Sequence, residues 1–299
     1  AVRNDHETLF LNLTPKDGAS VETSYSFRVV SCENVATFIK ELILEPVPGA
    51  PEFKFSPGEY LQLEIPAYGT IEFKNFAIQK PYADVWKTQH VFDYKAVNEA
   101  PVRRNYSMAG NPAFDKNLRF NVRIATPPRG QDCEAGTGSS FVFQLKPGDT
   151  VKAYGPFGDF HIKPGEKEMV YLGGGAGMAP LRSHLSYLFE TLKTKRKVSF
   201  WYGARSLQEV FYREYFEKLA KDFPNFSFHL ALSEPQPGDG WTSLTGFIHE
   251  VLKKEHLEHH PDPTAIEYYL CGPPPMMSAA RKLLDEFKVP LSQVAYDEF

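Results

Sequence analysis

The chain is 299 residues long, with 42% hydrophobic and 23% charged residues, enough to bury a sizeable core and to exclude a chain disordered throughout. Its 33 basic against 37 acidic residues leave a net charge of −4, which argues against a nucleic-acid-binding protein. Aromatic residues reach 14%, with 24 Phe and 15 Tyr, a supply of flat rings suited to a dense β core or a planar ligand.

Residues 1–24 carry no element signal and are left unassigned. The chain opens on Ala1 rather than Met, so it is expected to be processed or to be a portion of something longer. Cys32, Cys133 and Cys271 are odd in number and far apart, giving neither a disulfide framework nor a metal or cluster motif. A reducing compartment is the expectation. No apolar run approaches the roughly 18 residues of a membrane span, and no signal-peptide pattern is present.

Over 25–163 the apolar runs are short and rich in β-branched and aromatic residues. They are Tyr25–Ser31, Val35–Leu44, Tyr60–Ile65, Leu118–Ala125 and Thr150–Tyr154, separated by turns such as Ser56-Pro57-Gly58 and Lys146-Pro147-Gly148-Asp149. The pattern predicts an antiparallel β-barrel or sandwich. Tyr68–Arg103 breaks the rhythm and reads as an inserted lobe. Its rings, among them Phe73, Phe76 and Trp86, fit either a docking surface or a self-packed loop. Within this half, Arg104-Asn105-Tyr106-Ser107 combines a fixed cation, a flat ring and a hydroxyl on one strand. An arginine fork suits a diphosphate and a tyrosine can stack on a planar ring. Gly136-Thr137-Gly138-Ser139-Ser140 then precedes Phe141–Leu145, a predicted short helix whose amino end could hold phosphate.

Over 164–299 strands and helices alternate. Met169–Leu172, Val198–Tyr202, Phe226–Leu232 and Ile266–Leu270 read as buried parallel strands. Leu181, Leu185, Leu188 and Leu192 mark the first helix, Ser206-Leu207-Gln208-Glu209 a capping box opening the second, and Thr245–Lys254 and Ser278–Phe287 the others. Such alternation places a ligand at the carboxyl ends of the strands. There lies Gly173-Gly174-Gly175-Ala176-Gly177-Met178-Ala179-Pro180, between strand and helix, where glycines let backbone approach a pyrophosphate. A glycine turn required only by strand–helix packing is the plain alternative. Cys271-Gly272-Pro273-Pro274-Pro275-Met276-Met277 occupies a second such turn. His256, His259 and His260 have a metal-like i, i+3, i+4 spacing but read as a solvated helix end, and Lys193–Lys197 as a basic helix terminus.

RxYS, GxxS, Gly155-Pro156-Phe157-Gly158-Asp159-Phe160, GGGxGxAP and CGPPxM in this order resemble the ferredoxin–NADP reductase superfamily from Tyr25 to Phe299. More narrowly, Ala36–Leu42, Asn121–Pro128, Phe200–Ser206 and Thr245–His249 resemble the F subunits of sodium-translocating NADH:quinone reductases.

The resemblance implies a β-barrel FAD domain followed by an α/β NADH domain. It implies that Arg104, Tyr106 and Ser107 bind FAD, with Tyr106 against the isoalloxazine and Ser107 near N5. Arg123, Ile124 and Ala125 would line its adenylate side, and Gly136, Ser139 and Ser140 its pyrophosphate. Gly173–Pro180 and Cys271–Pro274 would frame NADH, and Phe299 would cover the flavin until nicotinamide displaces it. Ser107, Cys271 and Phe299 are thus the expected catalytic positions. The family's 2Fe–2S cluster domain and membrane helix do not occur in these 299 residues. The implied partners are that ferredoxin-like domain and the other membrane subunits, at the cytoplasmic face of a bacterial inner membrane, this portion itself being soluble. Arg205 is placed where an arginine can accept a 2′-phosphate, which leaves NADPH open beside NADH. Rival readings are a reductase component serving an oxygenase, and a nucleotide-binding regulatory module without turnover.

Overall fold

The computed structural model describes residues 23–128, 131 and 133–298. An antiparallel sheet and a parallel sheet follow one another along the chain. The first contains β1 (Ser24–Ala36), β2 (Ile39–Pro46) and β3 (Tyr60–Ile65). The inserted β4 (Gly69–Glu72), α1 (Tyr82–Thr88) and β5 (Lys95–Asn98) come next, then β6 (Val102–Ser107), β7 (Leu118–Arg123), α2 (Thr137–Gln144) and β8 (Thr150–Phe157). Six of these strands order as β6-β3-β8-β1-β2-β7. The chain just past the end of β6 meets β7, where Met108 bridges Phe120 and Ala109 N–H donates to Arg119 O at 2.8 Å. That contact curls the sheet into a barrel around Phe27, Leu42, Leu61, Leu63, Phe120 and Val151.

Sequence periodicity read Val35–Leu44 as one strand. It spans a hairpin whose turn is Thr37-Phe38, because β1 and β2 pair antiparallel with Ala36 opposite Ile39. The lobe carries the two-stranded sheet β4-β5. Its rings point inward: Phe73 and Trp86 are fully buried and pack with Ile124, Ala135 and Phe143. Trp86 Nε1–H also donates to Thr37 O at 2.7 Å. The lobe is a second core wrapped on the barrel, with Phe73, Phe76 and Trp86 inside it.

The second half contains β9 (Met169–Gly174), α3 (Met178–Ser186), β10 (Val198–Ala204), α4 (Arg213–Asp222) and β11 (Phe226–Leu232). It ends with α5 (Ile248–Glu255), β12 (Glu267–Cys271), α6 (Pro274–Glu286) and β13 (Val294–Asp297). The parallel sheet orders β11-β10-β9-β12-β13, so the sequential strand order reverses between β9 and β12 while every strand runs the same way. Both are buried at every residue, as strands covered on two faces must be. No helix among the described residues is long and apolar enough to cross a membrane.

Several local readings shift. Ser206 makes no side-chain cap, and Glu209 instead accepts from Thr37 N and Thr37 Oγ of the barrel. Leu192 is exposed, while Leu181, Leu185 and Leu188 are buried. Arg196 is no solvated helix-end cation: its guanidinium is buried against Glu267 and donates to the carbonyls of Lys163 and Lys167. Helix α6 starts at Pro274, four residues before the predicted start, because proline lacks only an N–H that the first turn leaves unpaired anyway.

The two halves are joined by α3. Arg182 Nη1 donates to Ala109 O at 2.5 Å and Ser183 Oγ to Gly110 O at 2.7 Å. His184, fully buried, lies 2.8 Å from Phe160 O through Nε2 and 3.3 Å from Tyr171 Oη through Nδ1. A carbonyl can only accept, so the ring carries a proton on Nε2, and burial, which lowers its pKa to about 4, keeps the ring neutral at pH 7. Across the same junction, Tyr212 Oη donates to Glu41 and accepts from Asn121 Nδ2 at 2.8 Å.

Candidate functional site

On the barrel side, β6 carries Arg104, Tyr106 and Ser107, and α2 begins beside it. The first turn of α2 is the glycine–serine segment itself, Thr137–Ser140, rather than the residues after it. A Cβ added to Gly138 would stand 2.6 Å from Arg104 Cγ and 2.7 Å from Tyr106 Oη, so only glycine lets this turn lie on the strand. Gly136 N–H donates to Ala125 O at 2.8 Å, and Ala125 N–H to Ser139 Oγ at 3.0 Å, which fixes the β7 exit against the helix start. The Ser139 hydroxyl is therefore committed within the protein, whereas Ser140 Oγ is buried and makes no hydrogen bond. The Ile124 side chain packs into the lobe core, so its backbone is what it can present to a ligand. Burial pushes the Tyr106 phenol above its usual range, against the lowering effect of Arg104. Arg104 itself is exposed and donates to Arg103 O at 2.8 Å. A glycine-cradled helix amino end, a neighbouring arginine and an orphaned hydroxyl fit an FAD diphosphate, and the half-exposed Tyr106 ring fits its flat ring system.

On the α/β side, the two glycine-bearing loops touch at the point where strand order reverses. A Cβ on Gly177 would meet Cys271 O at 2.1 Å. Gly175 adopts φ +56°, turning β9 into α3 so that the backbone N–H groups of the helix start face the crevice. Met276 lies across Gly174 and Gly272, its Sδ 2.9 Å from a Cβ placed on the first. Gly173 to Pro180 and Cys271 to Pro274 are thus brought into contact at the carboxyl ends of β9 and β12. The Cys271 thiol is fully buried, and burial raises its pKa well above the ordinary value, with Asp297 and Glu298 adding to the effect.

The halves converge at Ser107, whose Oγ donates to Asp297 Oδ2 at 2.8 Å. Asp297 sits opposite Cys271 in the β12–β13 pair. Burial raises the Asp297 carboxyl pKa, and Asp159 adds to that rise. Sequence reasoning missed Asp297, because a lone acid in an unpredicted four-residue strand carries no motif. Its neighbours Tyr296 and Glu298 are held by Arg281, whose guanidinium lies 4.0 Å from the Tyr296 ring and 2.8 Å from Glu298 Oε1. Phe299 lies outside the described residues. At the far side of the barrel, burial lowers the Arg123 pKa, and Arg205 from the other half lowers it further. Two neighbouring guanidiniums from different domains suit an anionic group.

An oxidoreductase FAD-binding domain model matches residues 70–162 and an oxidoreductase NAD-binding domain model residues 171–282. The F subunit of the Na(+)-translocating NADH-quinone reductase of Pseudomonas aeruginosa is 49% identical over 91% of this chain, which spans 66% of that protein. The protein of the same name in Psychrobacter arcticus is 45% identical over the whole chain, covering 74% of its own length. The chain thus spans about two thirds of the length of the first of these relatives. Among solved structures, the flavohem-like FAD/NAD-binding domain of Vibrio cholerae nitric oxide dioxygenase superposes with a TM-score of 0.69 at 21% identity, covering 92% of this chain and 98% of that one. The Amycolatopsis cytochrome P450 reductase GcoB gives 0.68 at 23%, covering 94% and 72%. These structures share the two-domain fold.

Proposed function

The chain belongs to the family of F subunits of Na⁺-translocating NADH-quinone reductases, and from that premise we propose that it takes a hydride from NADH onto FAD. We propose further that the electrons leave singly to a 2Fe–2S centre elsewhere in the same subunit, and then to quinone, at the cytoplasmic face of a bacterial inner membrane. The observation that carries this reading is the Ser107–Asp297 hydrogen bond, which sets the flavin-side strand and the nucleotide crevice one side chain apart.

FAD, when bound, supplies a group that accepts two electrons as hydride and can release them one at a time. The protein's part is placement. Arg104 and the first turn of α2 would hold the diphosphate, Tyr106 would pack against the ring system, and the backbone of Ala125 would meet the adenylate end. The Ser107 hydroxyl, its proton given to Asp297 Oδ2, is left as an acceptor at the ring edge. Gly173 to Gly177 and the start of α6 would hold the NADH pyrophosphate, with the Cys271 thiol as a neutral wall. Burial keeps that thiol protonated, so it packs as a small apolar group rather than acting as a nucleophile. Phe299 would cover the flavin between turnovers.

An anaerobic titration with NADH and with NADPH, followed at the flavin absorbance band, tests the reading. One equivalent of NADH should bleach the band, with NADPH acting much more weakly. A purified protein that retains no FAD, or a yellow one that NADH leaves oxidised, would sink it.

A further inference from the structure

At the edge of the parallel sheet where its strands begin, away from the nucleotide crevice, three side chains from distant segments meet. Glu168 precedes β9, His256 caps α5, and His260 follows it. Glu168 Oε1 is 3.1 Å from His256 Nε2, and Glu168 Oε2 is 3.2 Å from His260 Nε2. One ligand atom from each residue falls within 4.8 Å of the other two. Their side chains are only 14–16% exposed. Glu168 Oε1 and His256 Nε2 are buried and neither is hydrogen-bonded, although they face one another. His259, which the sequence spacing grouped with them, is exposed and takes no part.

We propose that Glu168, His256 and His260 form a site for a divalent transition-metal ion, zinc above all. Tetrahedral zinc with bonds of about 2.0–2.2 Å requires ligand atoms roughly 3.3 Å apart. The two imidazole nitrogens lie 3.1 and 3.2 Å from different Glu168 oxygens, and one ligand atom from each residue falls within 4.8 Å of the others, so a modest inward shift of the side chains closes them on one ion. Two imidazoles and a carboxylate favour zinc, cobalt or nickel over magnesium or calcium, and water would complete the shell.

Two neighbours oppose the ion and set the expected affinity at moderate. Lys197 Nζ lies 3.1 Å from Glu168 Oε2, but its side chain is 63% exposed and can turn to water at little cost. Asp262 N–H donates to His260 Nδ1 at 3.1 Å, placing that ring's proton on Nε2. Coordination through Nε2 requires the proton to move to Nδ1 and that bond to break. His229, stacked on Trp201 at 3.9 Å with Nε2 turned to Ser227, supplies no ligand. An ion here would tie the start of β9 to the turn after α5, stabilising the domain by mass action.

The test is calorimetric titration of the tag-free, FAD-loaded chain with zinc chloride, with the visible spectrum of added cobalt as a second readout. A Cys133→Ser background removes the exposed thiol as a competing ligand. One equivalent should bind, with at least tenfold loss in His256→Ala and in Glu168→Gln. His259→Ala should leave binding unchanged, and Lys197→Ala should tighten it severalfold by removing the competing ammonium. Equal losses in His259→Ala and His256→Ala would reduce the site to adventitious surface histidines and overturn the proposal. So would retention of full affinity in Glu168→Gln. Should that variant fail to fold, the exposed Lys197→Ala still decides: no tightening overturns the site.

Discussion

The Ser107 hydroxyl has one proton, and Asp297 accepts it at 2.8 Å. Ser107→Ala removes both that bond and an acceptor at the flavin edge. A single hydrogen bond contributes about 0.5–1.5 kcal/mol, so flavin reduction should slow by up to roughly tenfold. Single-turnover stopped-flow with NADH should show this while FAD stays bound. Arg104→Ala should instead lower FAD retention, since a charge-assisted diphosphate contact contributes roughly 1.5–3 kcal/mol, measured as FAD released on gel filtration. Arg281 holds alternate residues of β13, Tyr296 and Glu298, while Asp297 between them faces Ser107. If Phe299 shields the flavin, Phe299→Ala should tighten NAD⁺ binding, and Arg281→Ala should mimic it by loosening the same strand. Unchanged NAD⁺ affinity in both would remove the shield.

Element by element, the strands were the most legible part, because continuous apolar runs such as Phe226–Leu232 leave few alternatives. Boundaries governed by tertiary contacts were not. Glu209 looked like a capping residue and is spent on Thr37, and the Ser139 hydroxyl also accepts from Ala125 N–H, a contact no motif announces. The RxYS and GGGxGxAP positions were visible as motifs, whereas Asp297 acquires its role only by pairing beside Cys271. The lobe's composition was legible but left self-packing and docking equally open, and the structure shows Phe73 and Trp86 packed inward. Trp86→Ala should cost about 3–5 kcal/mol in urea denaturation, and deleting the lobe should abolish folding and ferricyanide reduction together. Helix α3 gives a pH dependence. Burial chiefly lowers the His184 pKa from 6.5 to about 4, so the unfolded chain takes up this proton first as pH falls. Its stabilising contribution is complete above pH 6.5 and declines between 6.5 and about 4, by about 2 kcal/mol at pH 5. Thermal melts at pH 7.5 and 5.0 should show a smaller loss in His184→Gln than in the parent.

Across the whole molecule, the relative placement of the barrel and the α/β domain rests on a few polar contacts beside the α3 seam. Tyr212 bonds both Glu41 and Asn121; Glu41 keeps its Arg119 partner, but Tyr212→Phe leaves the buried Asn121 amide without this acceptor and should cost about 1–3 kcal/mol. Urea denaturation measures that loss, and NADH-to-ferricyanide turnover should fall with it as the domains lose their fixed alignment. Thr37 has the widest reach of these contacts. Its carbonyl accepts from Trp86 of the lobe, its amide and hydroxyl donate to Glu209 of the α/β domain, and the hydroxyl accepts from Gln208. Lobe, barrel and α/β domain therefore share one residue. In deuterated solvent the Thr37 amide should exchange only when the domains part, at a rate common to neighbouring amides on both sides of the seam. That one amide would serve as a clock for the opening motion, readable in the intact protein with no added label.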